Sequence, residues 1–219
     1  MTRIKVKVCC ISSLEEACLA SEYGADALGL VGPMPSGGPG IIDDNLAREI
    51  ANAAPPAVDT FLLTSREHGN AIADHVEYCG TTTVQIVRHI DPSEYPVIIK
   101  RLPTTKRVQV IHVENEGVIE LVKKYEPFVH AFLLDSGRPS APELTLGGTG
   151  RVHDWQISAA IVKNTLKPVF LAGGLRPDNV REAIRSVAPF GLDLCSGLRT
   201  NGKLDEKKLR DFMSNVSRS

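Results

Sequence analysis

The chain has 219 residues, with 25 Lys and Arg against 26 Asp and Glu, and 42% of its residues are apolar. A net charge of −1 argues against a nucleic-acid or anionic-membrane partner, and no apolar run reaches the ~18 residues of a membrane span. Five cysteines with no C-x-x-C, behind an N-terminus that alternates like a strand ("MTRIKVKVCC"), point to free thiols in a reducing, cytoplasmic setting.

Read in chain order, eight short β-rich runs recur, at Ile4–Cys10, Ala27–Val31, Val58–Leu63, Thr83–Val87, Arg107–Val113, Ala131–Leu134, Pro168–Ala172 and Leu192–Cys195. Helical patterns separate most of them. Ser12, with Glu15 completing a capping box, opens a helix over Leu14, Ala17 and Cys18 that Gly24 ends. Asp43 or Asp44 opens the second, through Ile50. Ala71, Ile72 and Val76 form a stripe that stops at Gly80. In the fourth unit, Pro92 and Pro96 interrupt the pattern after Ile90. Val118, Ile119 and Val122 make the fifth helix. Asp154 caps the sixth, over Trp155 to Lys163. Pro177 sits in the first turn of the seventh, and Asp205 opens the last.

Eight β–α units imply a parallel sheet with right-handed crossovers. Their number and size predict one closed (β/α)8 barrel, a TIM barrel, spanning residues 1–219 as a single domain. An open doubly wound sheet is the rival arrangement. A chain of this length buries roughly 70–75% of its surface on folding, so it needs no metal or disulfide to hold it.

In a barrel, chemistry collects where strands hand over to helices. Two late strand-to-helix loops are glycine-rich, "AGGL" at 172–175 and "SGL" at 196–198. Gly173, Gly174, Ser196 and Gly197 let backbone N–H groups approach an anion, which predicts a phosphate site; ordinary turn chemistry is the alternative. The long sixth loop carries "GGTG" at 147–150, and its Gly148 and Gly150 are expected to add donors to the same phosphate. Asp135 ends strand six in "LLDS", either as a turn former or as a site acid. Lys5, Lys7 and Cys9 share one face of strand one, so Lys7 lies one step below the Cys9 thiol and is expected to favour its thiolate. Cys9 is then either a reactive thiol or an inert small hydrophobe; Cys10 points the other way, as packing. The six histidines are scattered, without H-x-H or H-E-x-x-H, and no nucleotide-binding motif is present, so neither a metal nor a nucleotide is expected.

These residues carry a family resemblance. "KVCCIS" with "EYGADALGLV", "TVQI" with Gln85, "LLDS…GGTGRVHDW", "VFLAGGLRPDNVREAI" and "LDLCSGLRTNGKLDEKKLRDF" make the chain similar, from end to end, to the phosphoribosylanthranilate isomerases of tryptophan biosynthesis, themselves (β/α)8 enzymes. The resemblance implies Cys9 as general base and Asp135 as general acid of an Amadori rearrangement. Lys7, Gln85, Gly148, Gly150, Gly173, Gly174, Ser196 and Gly197 would hold a small-molecule phosphosugar substrate. No cofactor is implied, because the substrate nitrogen is itself the electron sink. A monomer or homodimer, with no nucleic acid or membrane partner, is expected.

The departures gather at one end of the site. Where the family has a serine-proline-arginine-tyrosine-like run, whose arginine holds the anthranilate carboxylate, this chain reads "PMPSGGPGIID", without Arg or Lys. Losing one buried charge-assisted contact costs roughly 1.5–3 kcal/mol. The family's fourth-strand histidine is Val87, the glycine after its cysteine is Cys10, and the glutamate after its serine-glycine pair is Arg199. Two alternatives therefore accompany the isomerase reading. One is an isomerase of another phosphosugar amine; the other is a non-catalytic barrel that binds a phosphorylated metabolite.

Overall fold

The computed structural model describes residues 3–35, 37–115, 117–137 and 154–217. Eight parallel strands close on themselves in sequence order: β1 (Lys5–Val8), β2 (Ala27–Val31), β3 (Asp59–Thr64), β4 (Thr83–Ile86), β5 (Lys106–His112), β6 (Ala131–Asp135), β7 (Val169–Leu171) and β8 (Gly191–Leu194). β1 pairs with β8, Lys7 opposite Asp193, which closes the ring and excludes the open sheet. The helices between them are α1 (Leu14–Glu22), α2 (Asp44–Ala53), α3 (Gly69–Cys79), α4 (Tyr95–Arg101), α5 (Val118–Tyr125), α6 (Trp155–Asn164), α7 (Val180–Val187) and α8 (Glu206–Ser217).

Strand alternation sorts the core into two layers. Phe61, Leu63, Val108, Val110, Leu133 and Phe170 fill the barrel interior together with Cys9. Val6, Val8, Leu62, Val84, Ile111 and Leu134 face outward and meet the helices through Ile50, Ile72, Ile98, Val122 and Phe212. Each of these large side chains is buried on both sides of the sheet, a contribution of roughly 1.5–3 kcal/mol apiece. Among the described residues, no helix is long and apolar enough to cross a membrane.

Helix starts follow side-chain chemistry. Asp43 accepts from the Leu46 amide at 2.9 Å and Asp154 from the Gln156 amide at 2.8 Å, as their sequence contexts predict. Gly80 ends α3 in the left-handed region at φ 68°. Three expectations shift. The first capping box lies one residue later: Ser13 accepts from the Glu16 amide at 3.2 Å, and the Glu16 carboxylate reaches back to the Ser12 amide at 3.0 Å. Pro92 and Pro96 do not interrupt a helix; Pro92 opens a 3-10 turn and Pro96 lies in the first turn of α4, where a missing N–H costs nothing. Pro177 precedes α7, whose first helical residue is Val180.

Candidate active site

One cavity opens at the C-terminal end of the barrel, and residues from most of the strand-to-helix loops reach its wall. Cys9 follows β1, Asp135 ends β6, and Gly173, Gly174, Ser196 and Gly197 supply the loops after β7 and β8; all line this cavity, as does Gln85 of β4. Lys7 lies beneath the wall rather than on it. Gly148 and Gly150 fall outside the described residues.

The two glycine loops are built against each other. A Cβ at Gly197 would lie 2.0 Å from the Leu175 carbonyl oxygen, so only glycine permits this approach. Gly173 and Gly174 both take positive φ, 82° and 64°, which turns the chain sharply after Ala172. Asn179 holds that turn: its Oδ1 accepts from the Arg176 amide at 2.8 Å and its Nδ2 donates to the Gly174 carbonyl at 3.0 Å.

Below Cys9, the Lys7 ammonium donates to the Asp193 carboxylate at 2.7 Å, with the lysine side chain wholly buried. Burial alone would push Lys7 down, but Asp193 and then Cys9 pull it above its ordinary value, so it stays a cation. The same burial pushes the Cys9 thiol up to about 11, against the opposing pull of Lys7. The lysine favours the thiolate, as the strand spacing predicts, but burial outweighs it and Asp193 opposes it from the other side. A Cβ at Gly29 on the neighbouring strand would lie 2.7 Å from the Cys9 sulfur, so that glycine leaves room for the thiol.

Asp135 is held above the ordinary carboxylate range by burial. His112, the Ser136 backbone and Lys7 oppose this, and Asp193 reinforces it. The arrangement sets around one cavity a carboxyl whose burial favours the protonated form and a thiol that is hard to ionise.

Asp193 and His112 are not singled out by the sequence, and Arg199 stands out there only as a departure from the family. Asp193 sits on the inner face of β8 in "GLDLC", a lone carboxylate in an apolar strand, and that isolation is a usable signal. His112 stands opposite Asp135 in the β5–β6 register. Its Nε2 lies 2.9 Å from the Val87 carbonyl, which only accepts, so this nitrogen carries the hydrogen; Nδ1 is buried without a partner among the described residues. Arg199 reaches from the β8 loop to the β1 loop, donating to the Cys10 carbonyl and pairing with Glu16 at 2.9 Å.

The cysteines depart furthest from expectation. Cys10 and Cys195 form a disulfide rather than two free thiols, and both lie on the cavity wall. Strand alternation fails for Cys10 because β1 ends at Val8 and Cys10 turns into the left-handed region at φ 63°. Cys9, Cys18 and Cys79 are free. Cys79 belongs to a group with Asp44 and His75 whose ligand-type atoms come together between α2 and α3. There the His75 Nε2 is engaged by Asp44 at 2.9 Å and its Nδ1 by Thr64 at 3.1 Å, so the group is internally hydrogen-bonded.

The chain matches the family described as N-(5'-phosphoribosyl)anthranilate (PRA) isomerase over residues 6–215. It is 39% identical to N-(5'-phosphoribosyl)anthranilate isomerase 2 of Methanosarcina mazei over 96% of this chain and 92% of that one. It is 37% identical to the isomerase of Pelobacter propionicus over 96% and 94%. Among solved structures, the phosphoribosyl anthranilate isomerase of Thermotoga maritima superposes with a TM-score of 0.81 at 30% identity, covering 99% of this chain and 100% of that one. A phosphoribosyl anthranilate isomerase in complex with reduced 1-(o-carboxyphenylamino)-1-deoxyribulose 5-phosphate superposes at 0.79 with 28% identity, over 99% of this chain and 100% of that one.

Proposed function

We propose, from the premise that this chain belongs to the N-(5'-phosphoribosyl)anthranilate isomerase family, that it converts N-(5'-phosphoribosyl)anthranilate to the 1-amino-1-deoxyribulose phosphate by acid–base catalysis. The backbone of Gly173, Gly174, Ser196 and Gly197 binds the phosphate and pins the sugar across the cavity. The Asp135 carboxyl donates its proton to the ring oxygen, and the nitrogen lone pair opens the ring to an iminium. The Cys9 thiolate takes the proton from the neighbouring sugar carbon, leaving an enolamine. Tautomerisation to the ketone returns the proton count to its start. Each transfer by a positioned group contributes roughly 10²–10⁴-fold, and fixing the sugar by its remote phosphate supplies orientation. All the described residues in these roles come from one chain, compatible with a monomer or homodimer in the cytoplasm.

The observation that supports this reading is that Cys9, Asp135 and both glycine loops border the same cavity. The active form needs Asp135 protonated and Cys9 ionised, the less populated arrangement, since Cys9 titrates near 11. Lys7 limits that penalty by opposing the burial that drives Cys9 up.

A second reading has its own observation. Among the described residues of the cavity wall there is no Arg or Lys, and Met34, Gly37, Gly38 and Pro39 form the rim where the family places its arginine. Arg88 is engaged by Glu67 at 2.8 Å, and Arg66 by the Ala71 carbonyl at 3.0 Å. This favours a phosphoribosyl amine whose aglycone lacks a carboxylate. Following the fluorescence of N-(5'-phosphoribosyl)anthranilate with purified protein separates the readings. Decay that is abolished in Cys9→Ser and Asp135→Asn is expected. No decay, with binding of a reduced phosphoribityl amine that lacks the carboxylate, would transfer the assignment to the second reading.

A further inference from the structure

The loops after β1 and β8 carry the two ends of the chemistry, and one covalent bond joins them. Cys10 directly follows Cys9. Cys195 directly precedes Ser196 and Gly197. Their sulfurs are bonded and their Cα atoms stand 5.8 Å apart, inside the range a disulfide accepts without backbone movement. Polar ties cross the same seam beside it: Arg199 donates to the carbonyl of Cys10 and pairs with Glu16, and the Cys9 amide donates to the Leu194 carbonyl at 2.7 Å.

Cys10 occupies a backbone conformation, φ 63°, that glycine takes freely and a residue with a side chain takes under strain. What a side chain adds there is a sulfur within bonding reach of Cys195. Loop two also rests on this point: a Cβ on Gly40 would lie 2.7 Å from the Cys10 Cα. A bond at Cys10 therefore ties the β1 loop to the β8 loop directly beneath the rim formed by loop two.

We propose that Cys10 and Cys195 are a reversible thiol-oxidation site, closed by a disulfide oxidant of the glutathione class, and that closure fixes the Ser196–Gly197 turn for phosphate. The exchange balances in two steps. The Cys195 thiolate, the more exposed of the two, attacks one sulfur of oxidised glutathione and releases one glutathione thiolate. The Cys10 thiolate then attacks the Cys195 sulfur and releases the second. Two protein thiols become one disulfide, the oxidant becomes two glutathione thiols, and the two protein protons end on them. Cys9 stays out of the exchange because it is buried as a thiol, and the thiol is not the nucleophile. The base is thus left intact while its neighbour is oxidised.

In the closed state the phosphate turn is held covalently. In the open state binding must order it, so affinity for phosphate falls. The phosphate role rests on the reading above; the readouts chosen do not use turnover, so they separate failure of this site from failure of that activity.

The full chain is equilibrated in glutathione buffers of graded oxidised-to-reduced ratio, alkylated, and analysed by mass spectrometry. Inorganic phosphate affinity is measured by calorimetry at each end of the series. Reduced protein is expected to alkylate at five cysteines, and oxidised protein at Cys9, Cys18 and Cys79 after unfolding, with a linked Cys10–Cys195 peptide. Phosphate is expected to bind severalfold more tightly to the oxidised form. Cys10→Gly, which relieves the left-handed strain and so folds, is expected to bind phosphate as the reduced form does in every buffer. Alkylation of Cys10 and Cys195 at every ratio would overturn the site. Equal phosphate affinity in the two states, or a redox response retained in Cys10→Gly, would overturn its function.

Discussion

Lys7 and Asp193 face each other across the β1–β8 seam at 2.7 Å, with Lys7 two residues before Cys9, in a place the lysine shares with no solvent. A buried pair of this kind adds little net stability while both partners are present, yet losing one leaves a charge with nothing to answer it. Lys7→Met is therefore expected to lower unfolding stability by about 3–5 kcal/mol, and Lys7→Met with Asp193→Leu to recover most of the loss. Urea denaturation midpoints of the three proteins measure this. Because the folded Lys7 titrates above its ordinary 10.5, the pair's contribution is complete below that pH and is lost as pH rises through the higher folded value. Equal midpoints for wild type and Lys7→Met would remove the pair from the account.

The acid and base predict an unusual pH dependence. Activity requires protonated Asp135 and ionised Cys9. Asp135 is raised but remains a carboxyl, and Cys9 titrates near 11. The active fraction is then constant between the two values and falls tenfold per pH unit outside them. The acid limb of kcat/KM reports Asp135, above the usual carboxylate range, and the alkaline limb reports Cys9 near 11. Stopped-flow or steady-state rates across pH check it. An alkaline limb near neutrality would mean that Cys9 rests as a thiolate.

His112 adjoins Asp135 across the β5–β6 register and opposes the rise that burial imposes on the acid. Replacing it by an uncharged residue, His112→Leu, is expected to move the acid limb of kcat/KM to higher pH. Thermal unfolding checks that the barrel persists. A variant that loses rate uniformly, with its limb unmoved, would reduce His112 to packing.

Gly197 meets the Leu175 carbonyl with no room for a Cβ, so Gly197→Ala must push the two phosphate loops apart. The expected result is a KM raised by tenfold or so, equivalent to about 1.4 kcal/mol of binding, with a smaller change in kcat. Steady-state kinetics with the phosphosugar substrate separates the two. An unchanged KM would take these loops out of phosphate binding.

Much of this site is legible because barrels deliver chemistry at predictable places. Asp135 and the glycines of the last two loops stand where strands end, and the eight-unit beat reveals those ends. The fourth unit is obscured because Pro92 and Pro96 look like helix breakers until their place in the first turns is known. Asp193 hides in a strand that reads as apolar, since its partner Lys7 is 186 residues away. The Cys10–Cys195 bond hides for the same reason, with a separation of 185 residues, and because the left-handed turn at Cys10 breaks the alternation that seemed to aim it outward. The titration of Cys9 is only half legible: the spacing places a lysine that favours the thiolate, but does not reveal the burial that outweighs it.

The central claim is that a thiol and a carboxyl of this cavity flank a sugar held by its phosphate. A crystal structure of this protein with reduced 1-(o-carboxyphenylamino)-1-deoxyribulose 5-phosphate tests it most directly. The account predicts the phosphate within hydrogen-bond reach of the backbone at Gly173–Gly174 and Ser196–Gly197, with the Cys9 sulfur and the Asp135 carboxyl on opposite sides of the ribulose chain. A ligand bound with its phosphate elsewhere, or with both groups on one side of the sugar, would contradict it.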